Sequence, residues 1–274
     1  VTFINVMERI TTYSNSELLE LYSYLAANPN KITMMIIGIS QSLGSVAIPL
    51  ITEKFVQKNL KAASHLVTDN LQLLFIFTIP AIVGTVLLAR PLYTVFYGPS
   101  EEIAITLFIW NLFMILPLGL YSVISVVIQS IFENRHGIYY FLIGMLVKIV
   151  LQVPMMYLFK VYGSFISTIF GLGIMLYLFY KRIDKILDID EQLVVKDIVT
   201  ISWISAVMGL IVWVIEFLLD IVVPANGYVS SFIHLVIAGG AGIIVFGLLT
   251  LKTRQLDRLI GGRAQPLRRK LRLG

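Results

Sequence analysis

Seven apolar runs divide the chain, at residues 32–52, 71–88, 103–131, 138–158, 161–180, 198–219 and 231–251. Each is about the length of an α-helix that crosses roughly 30 Å of hydrocarbon, near 20 residues at about 1.5 Å per residue. In lipid every backbone amide must find its partner within its own segment, which helices achieve and isolated strands do not. The expected fold class is therefore all-α and polytopic, with about seven transmembrane helices. Residues 3–10 read as the tail of an eighth helix. Polar joints separate the runs at 14–31, with Asn28-Pro29-Asn30, then at 53–70, Gly98-Pro99-Ser100, 133–137, 181–197 and 224–227.

The charges sort by joint. Assigning alternate joints to one side collects Lys54, Lys58, Lys61, Arg135, Lys181, Arg182, Lys185, Lys196 and eight tail residues, sixteen of the 21 basic residues; the other side holds Arg9, Lys31, Arg90 and Lys160. The positive-inside rule then predicts a cytoplasmic carboxyl tail, with Val1's side facing out. Within 53–70, Phe55, Ala62, Ala63, Leu66 and Val67 share one helical face apart from Lys54, Lys58 and Lys61, so this segment is expected along the inner membrane surface. Arg268, Arg269, Lys270 and Arg272 are expected to contact anionic lipid at roughly 1 kcal/mol per basic residue; a stop signal that only fixes topology is the alternative.

Composition agrees: 58% hydrophobic, 14% charged and a mean hydropathy of +0.87 leave too little polar surface for a soluble domain. The absence of cysteine excludes disulfides, thiolate catalysis and cysteine metal sites. The net charge of +5 is accounted for by membrane orientation, so no nucleic-acid partner is expected. There is no His-Glu-x-x-His, no Gly-x-Ser-x-Gly and no phosphate-cradling glycine loop, so neither an enzyme, a cofactor nor a metal is expected. The chain opens at Val1 without a leader and reads as a piece of a longer protein.

Polar groups at membrane depth are the candidates for function. Lys148 lies near the middle of 138–158, where an ammonium costs about 2.5–3.5 kcal/mol on insertion scales. Gly144, Lys148 and Gln152 recur every four residues and are expected to face a central cavity; the alternative is a lysine held by carbonyls freed at Pro154 or by a neighbouring helix. Gln41 and Ser45, in a stripe with Gly38, Pro49 and Thr52, and Asn111 and Gln129, in one with Ser122 and Ser125, could line the same cavity, although helix packing is the favoured reading for them. The same holds for Ser164, Ser167, Thr168 and Gly171. Glu216, Asp220 and His234 have the composition of a proton relay, but they fall near the outer ends of the last two helices, where solvation at the interface is expected. Pro49, Pro80, Pro117 and Pro154 place one proline in each of the first four complete helices, which permits bends.

Ala89-Arg90-Pro91-Leu92-Tyr93-Thr94-Val95-Phe96-Tyr97-Gly98 resembles a helix-ending pattern of the MOP transporter superfamily. So do Ile48-Pro49-Leu50-Ile51-Thr52-Glu53, Gln129-Ser130-Ile131-Phe132-Glu133-Asn134-Arg135, Lys148-Ile149-Val150-Leu151-Gln152-Val153-Pro154 and Tyr162-Gly163-Ser164-Phe165-Ile166-Ser167-Thr168, in that family's order. The nearest resemblance is to the polysaccharide-biosynthesis branch with the stage V sporulation protein B-like lipid II flippases. It implies two six-helix lobes plus two extra helices, in a multi-pass protein of the bacterial cell membrane. On that reading residues 1–30 end a truncated helix and outer loop, 31–182 form the second lobe, 183–197 a cytoplasmic linker, 198–251 the extra pair and 252–274 a basic tail. The implied function is alternating-access flipping of a lipid-linked oligosaccharide or lipid II-like precursor, with a missing amino-terminal half as partner and Lys148 as the cation for the headgroup. The chain departs from the pattern in that 32–52 carries no arginine. A drug or cation antiporter of the same superfamily is the rival, and it should show an intramembrane carboxylate; a membrane scaffold for envelope-biosynthesis enzymes and an intramembrane transferase are the others.

Overall fold

The structure, a computed structural model, describes residues 2–11, 14–99, 101–225, 227–253 and 255. Among these, every regular element is helical: α1 (Thr2–Ile10), α2 (Asn15–Tyr22), a π-helical turn (Ser23–Ala27), α3 (Asn28–Val56), α4 (Leu60–Leu87), α5 (Ala89–Tyr97), α6 (Glu102–Phe113), α7 (Ile115–Ser130), α8 (Asn134–Phe159), a 3₁₀ turn (Lys160–Tyr162), α9 (Gly163–Leu187), α10 (Glu191–Val222), α11 (Tyr228–His234), a second π turn (Leu235–Gly239) and α12 (Gly240–Lys252). Six continuous stretches are long and apolar enough to cross a membrane. One of them, Asn134–Leu187, runs 54 residues and turns back at Lys160, whose φ of 51° is left-handed; α8 and α9 then pack against each other. Counted as two rods, they restore the seven runs.

Local chemistry explains the ends. Ser14 and Glu17 form a reciprocal capping box at α2, Asn59 Oδ1 accepts from the Ala62 amide at 3.2 Å to open α4, and Asp190 does the same for α10 through the Leu193 amide at 3.0 Å. Pro117 lacks an amide hydrogen and crowds the carbonyl four residues back, which is where α6 and α7 separate. Pro49, Pro80 and Pro154 stay inside their helices. The expected surface segment at 53–70 is not a separate element. Residues 53–56 complete α3, Lys58 turns the chain with φ 57°, and Leu60 already begins α4. The apolar face that suggested a surface helix is instead packing surface, with Ala63 and Val67 buried.

The chain divides into two compact units, Val1–Val67 with Glu101–Ile189, and Thr68–Ser100 with Asp190–Gly274. In the first, Phe3, Met7, Leu18, Leu21, Leu107, Met114, Met156, Val161 and Phe165 form a core, with Trp110 stacked on Phe165 at a centroid distance of 6.1 Å. Lipid tails are as apolar as leucine, so helix association here depends on close packing and hydrogen bonds rather than on the hydrophobic effect. Glycines supply that closeness. A methyl group on Gly144 would come within 2.7 Å of the Gly171 carbonyl oxygen, and one on Gly171 within 2.7 Å of the Gly144 carbonyl oxygen. Gly44 of α3 likewise lies against Val123 of α7.

In the second unit Leu88, Met208, Val212 and Ala238 form the core, with Gly209 close to Val83 and Gly242 close to Val212. The expectation that interfacial water solvates His234 is corrected here: its ring is fully buried, with Nδ1 3.0 Å from Glu216 Oε1. Asp220, by contrast, is exposed and accepts from the Ala225 amide at 3.2 Å. The difference arises because α5 packs against α11 and the ring turns inward to Glu216 and the Val223 carbonyl, which hydropathy along the chain does not reveal.

Candidate functional site

A cavity of about 290 Å³ opens within the first unit, walled by Phe3, Tyr22, Leu25, Met114, Leu118 and Phe165 and lined on its polar side by Asn30, Asn111, Lys148, Gln152, Ser164 and Thr168. Residues 148 and 152 of α8 stand one turn apart, which brings both to the same wall. α6 contributes Asn111, and α9 contributes Ser164 and Thr168.

The amides of this wall are held in place. Asn111, only 5% exposed, accepts from Thr33 Oγ1 at 2.8 Å and donates to the Leu25 carbonyl at 3.1 Å, with Asn30 Oδ1 at 3.5 Å. Leu25 lies in the π-helical turn, a feature that often marks functional sites. Gln152 donates through Nε2 to Ser164 Oγ at 3.1 Å and accepts from Ser167 Oγ at 3.0 Å, tying α8 to α9. Lys148 is the one charged residue of the lining. Its ammonium makes no hydrogen bond or ion pair among the described residues, and the side chain is exposed. A cation without a counterion, beside oriented amides and hydroxyls, suits an anionic or oxygen-rich group. Among the described residues the lining holds no carboxylate or histidine.

Of the six cavity candidates, then, the structure brings Lys148, Gln152 and Asn111 to one pocket. Gly144, third member of the Lys148 stripe, is buried against Gly171 and Met175 of α9 and is not part of this lining. Gln129 lines a separate cavity of about 500 Å³ with Tyr121, Ser125, Asn134, Phe141 and Phe179. Gln41 and Ser45 lie on the exposed face of α3, where Ser45 Oγ donates to the Gln41 carbonyl at 2.8 Å. Arg268, Arg269, Lys270 and Arg272 lie outside the described residues.

Sequence reasoning passed over three contributors. Thr33 and Asn30 reach Asn111 from the start of α3, and only the chain's folding shows it. The third is a charge cluster: Arg182 of α9 grips Glu133 with Nη2 at 2.8 Å from Oε1 and Nε at 3.1 Å from Oε2, while His136 Nδ1 stands 2.6 Å from Oε2. The Arg182 hydrogen bonds hold the Glu133 carboxyl below the usual carboxylate range, with His136 adding to the effect. Opposite charges at two joints on one side of the membrane were the available signal.

Residues 21–237 match the family described as "Lipid II flippase MurJ". The lipid II flippase MurJ of Bacillus subtilis (strain 168) is 26% identical over 248 residues, covering 89% of this chain and 46% of that protein. A solved structure of lipid II flippase MurJ in an inward closed conformation superposes with a TM-score of 0.69 at 19% identity, over 93% of this chain and 50% of that one, a likeness of fold. The chain spans about half the length of the curated relative it matches. With the family description matched over most of its length, the chain belongs to the MurJ lipid II flippase family.

Proposed function

We propose that this chain forms the carboxy-terminal portion of a flippase that carries a lipid II-like, lipid-linked oligosaccharide across the bacterial cytoplasmic membrane by alternating access. The observation that carries the reading is the Lys148 pocket. An unpaired ammonium at membrane depth, beside the fixed amides of Asn111 and Gln152, provides charge and hydrogen bonds for the pyrophosphate-sugar part of such a cargo. A cation antiporter would need a carboxylate at that place, and among the described residues the lining has none.

On this reading residues 31–182 belong to the second lobe, 198–251 to the extra pair, and an amino-terminal half supplies the facing wall. The exposed polar face of α3, with Gln41, Ser42 and Ser45, is the surface suited to meet that wall, since polar side chains turned toward lipid are costly. The carboxyl tail lies in the cytoplasm, following the charge asymmetry, and Arg268, Arg269, Lys270 and Arg272 contact anionic lipid there.

The test is Lys148→Met in the full-length transporter, reconstituted with fluorescent lipid II. Flipping is expected to fall at least about tenfold, equivalent to about 1.4 kcal/mol, with membrane abundance unchanged and Lys148→Arg retaining activity. Undiminished flipping by Lys148→Met would remove the pocket from the mechanism.

A further inference from the structure

At the carboxyl end of α11, within the second unit, His234 is 0% exposed. Its Nε2 lies 2.7 Å from the Val223 carbonyl oxygen, and its Nδ1 lies 3.0 Å from Glu216 Oε1. A carbonyl oxygen only accepts, so Nε2 carries a hydrogen. A neutral ring would then aim the lone pair of Nδ1 at the carboxylate, two acceptors face to face, with the ring sealed from water and the Glu216 side chain 18% exposed. That arrangement is unfavourable unless a proton lies between them. Among the described residues the second carboxylate oxygen, Glu216 Oε2, is also buried without a hydrogen-bond partner, and Nδ1 faces Oε1 at ion-pair distance rather than in hydrogen-bond geometry.

The surroundings point the same way. Asp220, one turn beyond Glu216 on α10, adds a second negative charge near the ring. The carbonyl end of the 32-residue α10 terminates at the imidazole, and helix carboxyl ends favour a cation. α5 packs against α11 and carries Arg90, Tyr93 and Tyr97 as its ionisable groups. The Leu235–Gly239 turn has none, and α12 carries only Lys252, at its far end.

We propose that His234 and Glu216 form a buried proton-binding site, imidazolium on carboxylate, that latches the last turns of α10 to the carboxyl end of α11. Parting the two helices would leave a cation and an anion unpaired, unless the shared proton left with the separation. Movement of α11 and α12 against α10 is thereby linked to one proton. The π-helical turn Leu235–Gly239 begins at the very next residue, and such turns are frequent at functional sites. The latch is independent of the cargo and of Lys148.

The test uses ring-¹⁵N-histidine in the full-length transporter in lipid nanodiscs, with His234→Gln identifying the resonances by difference. At pH 7.5 the His234 ring is expected to show two N–H nitrogens. In Glu216→Gln it should show one pyridine-type nitrogen, and amide exchange across Tyr228–Leu235 should accelerate by about tenfold, as for a locally opened segment. One pyridine-type nitrogen in the wild type overturns the proposal, and that reading needs no variant to fold. An imidazolium that persists in Glu216→Gln overturns it as well, as does unchanged exchange.

Discussion

A single methyl group at Gly171 tests the helix seam on which the pocket is built. In Gly171→Ala the new carbon would lie 2.7 Å from the Gly144 carbonyl oxygen and 2.9 Å from Lys148 Cβ. Both belong to positions that no rotamer change can move. Ordinary contact begins near 3.4 Å, so α8 and α9 must part by roughly 0.7 Å at their closest point, and overpacking of this kind costs about 1–3 kcal/mol. Gly173, two residues along the same helix, has nothing within 4 Å of an added carbon. Both substitutions gain the same helix propensity, about 1 kcal/mol, so the difference between the two variants isolates the packing cost. At roughly 2–4 °C per kcal/mol for a chain of this size, Gly171→Ala should melt about 2–12 °C below Gly173→Ala. The measurement is thermal unfolding in one detergent at one scan rate. Equal melting temperatures for the two variants would refute the close approach of α8 and α9, and with it the placement of Lys148 and Gln152 on a shared wall with Ser164.

Asn111→Leu removes the partner of Thr33 Oγ1 and of the Leu25 carbonyl, and leaving such groups unsatisfied should destabilise the protein by about 1–3 kcal/mol; adding Thr33→Val should recover part of that loss in the same melting assay. The Glu133 carboxyl has a folded-state value below its ordinary one because Arg182 bonds it, so its stabilising contribution is fully present above the ordinary carboxylate range, about 4.3, and disappears as pH falls through the depressed value. The difference in melting temperature between wild type and Glu133→Gln should thus be present above about pH 5 and shrink on further acidification through the depressed Glu133 value; a difference that grows as pH falls below about 4 would contradict the Arg182 pairing.

Much of this architecture was legible in the sequence. The apolar runs and the joints between them mark the helices because hydrocarbon admits only backbone that is bonded within its own segment, and Lys148 stood out because an ammonium at that depth is expensive. Gly171 was expected at a helix interface, whereas Gly144, expected to face the cavity with Lys148 and Gln152, is packed against Gly171 and Met175 instead. What the sequence could not separate was the use of each polar stripe. Gln152 and Gln41 look alike on a helical wheel, yet one bonds Ser164 and Ser167 and the other is exposed. In a soluble protein hydropathy tells the inside from the outside. In lipid both surroundings are apolar, so helix periodicity carries little information about which face meets protein.

The remaining differences have the same origin. His234 and Asp220 sit at equivalent depths by sequence, but the packing of α11 against α5 accompanies complete burial of one ring, while the other side chain is exposed. Residues 53–70 have the amphipathic pattern of a surface helix, yet the Lys58 turn makes their apolar positions the packing faces of α3 and α4. Membrane residence, the helical class and the candidate cation were determined along the chain, where the solvent imposes length and charge on each segment separately. Which polar groups converge on the pocket, and which histidine is sealed against a carboxylate, was decided only by tertiary contacts between helices that share one apolar composition.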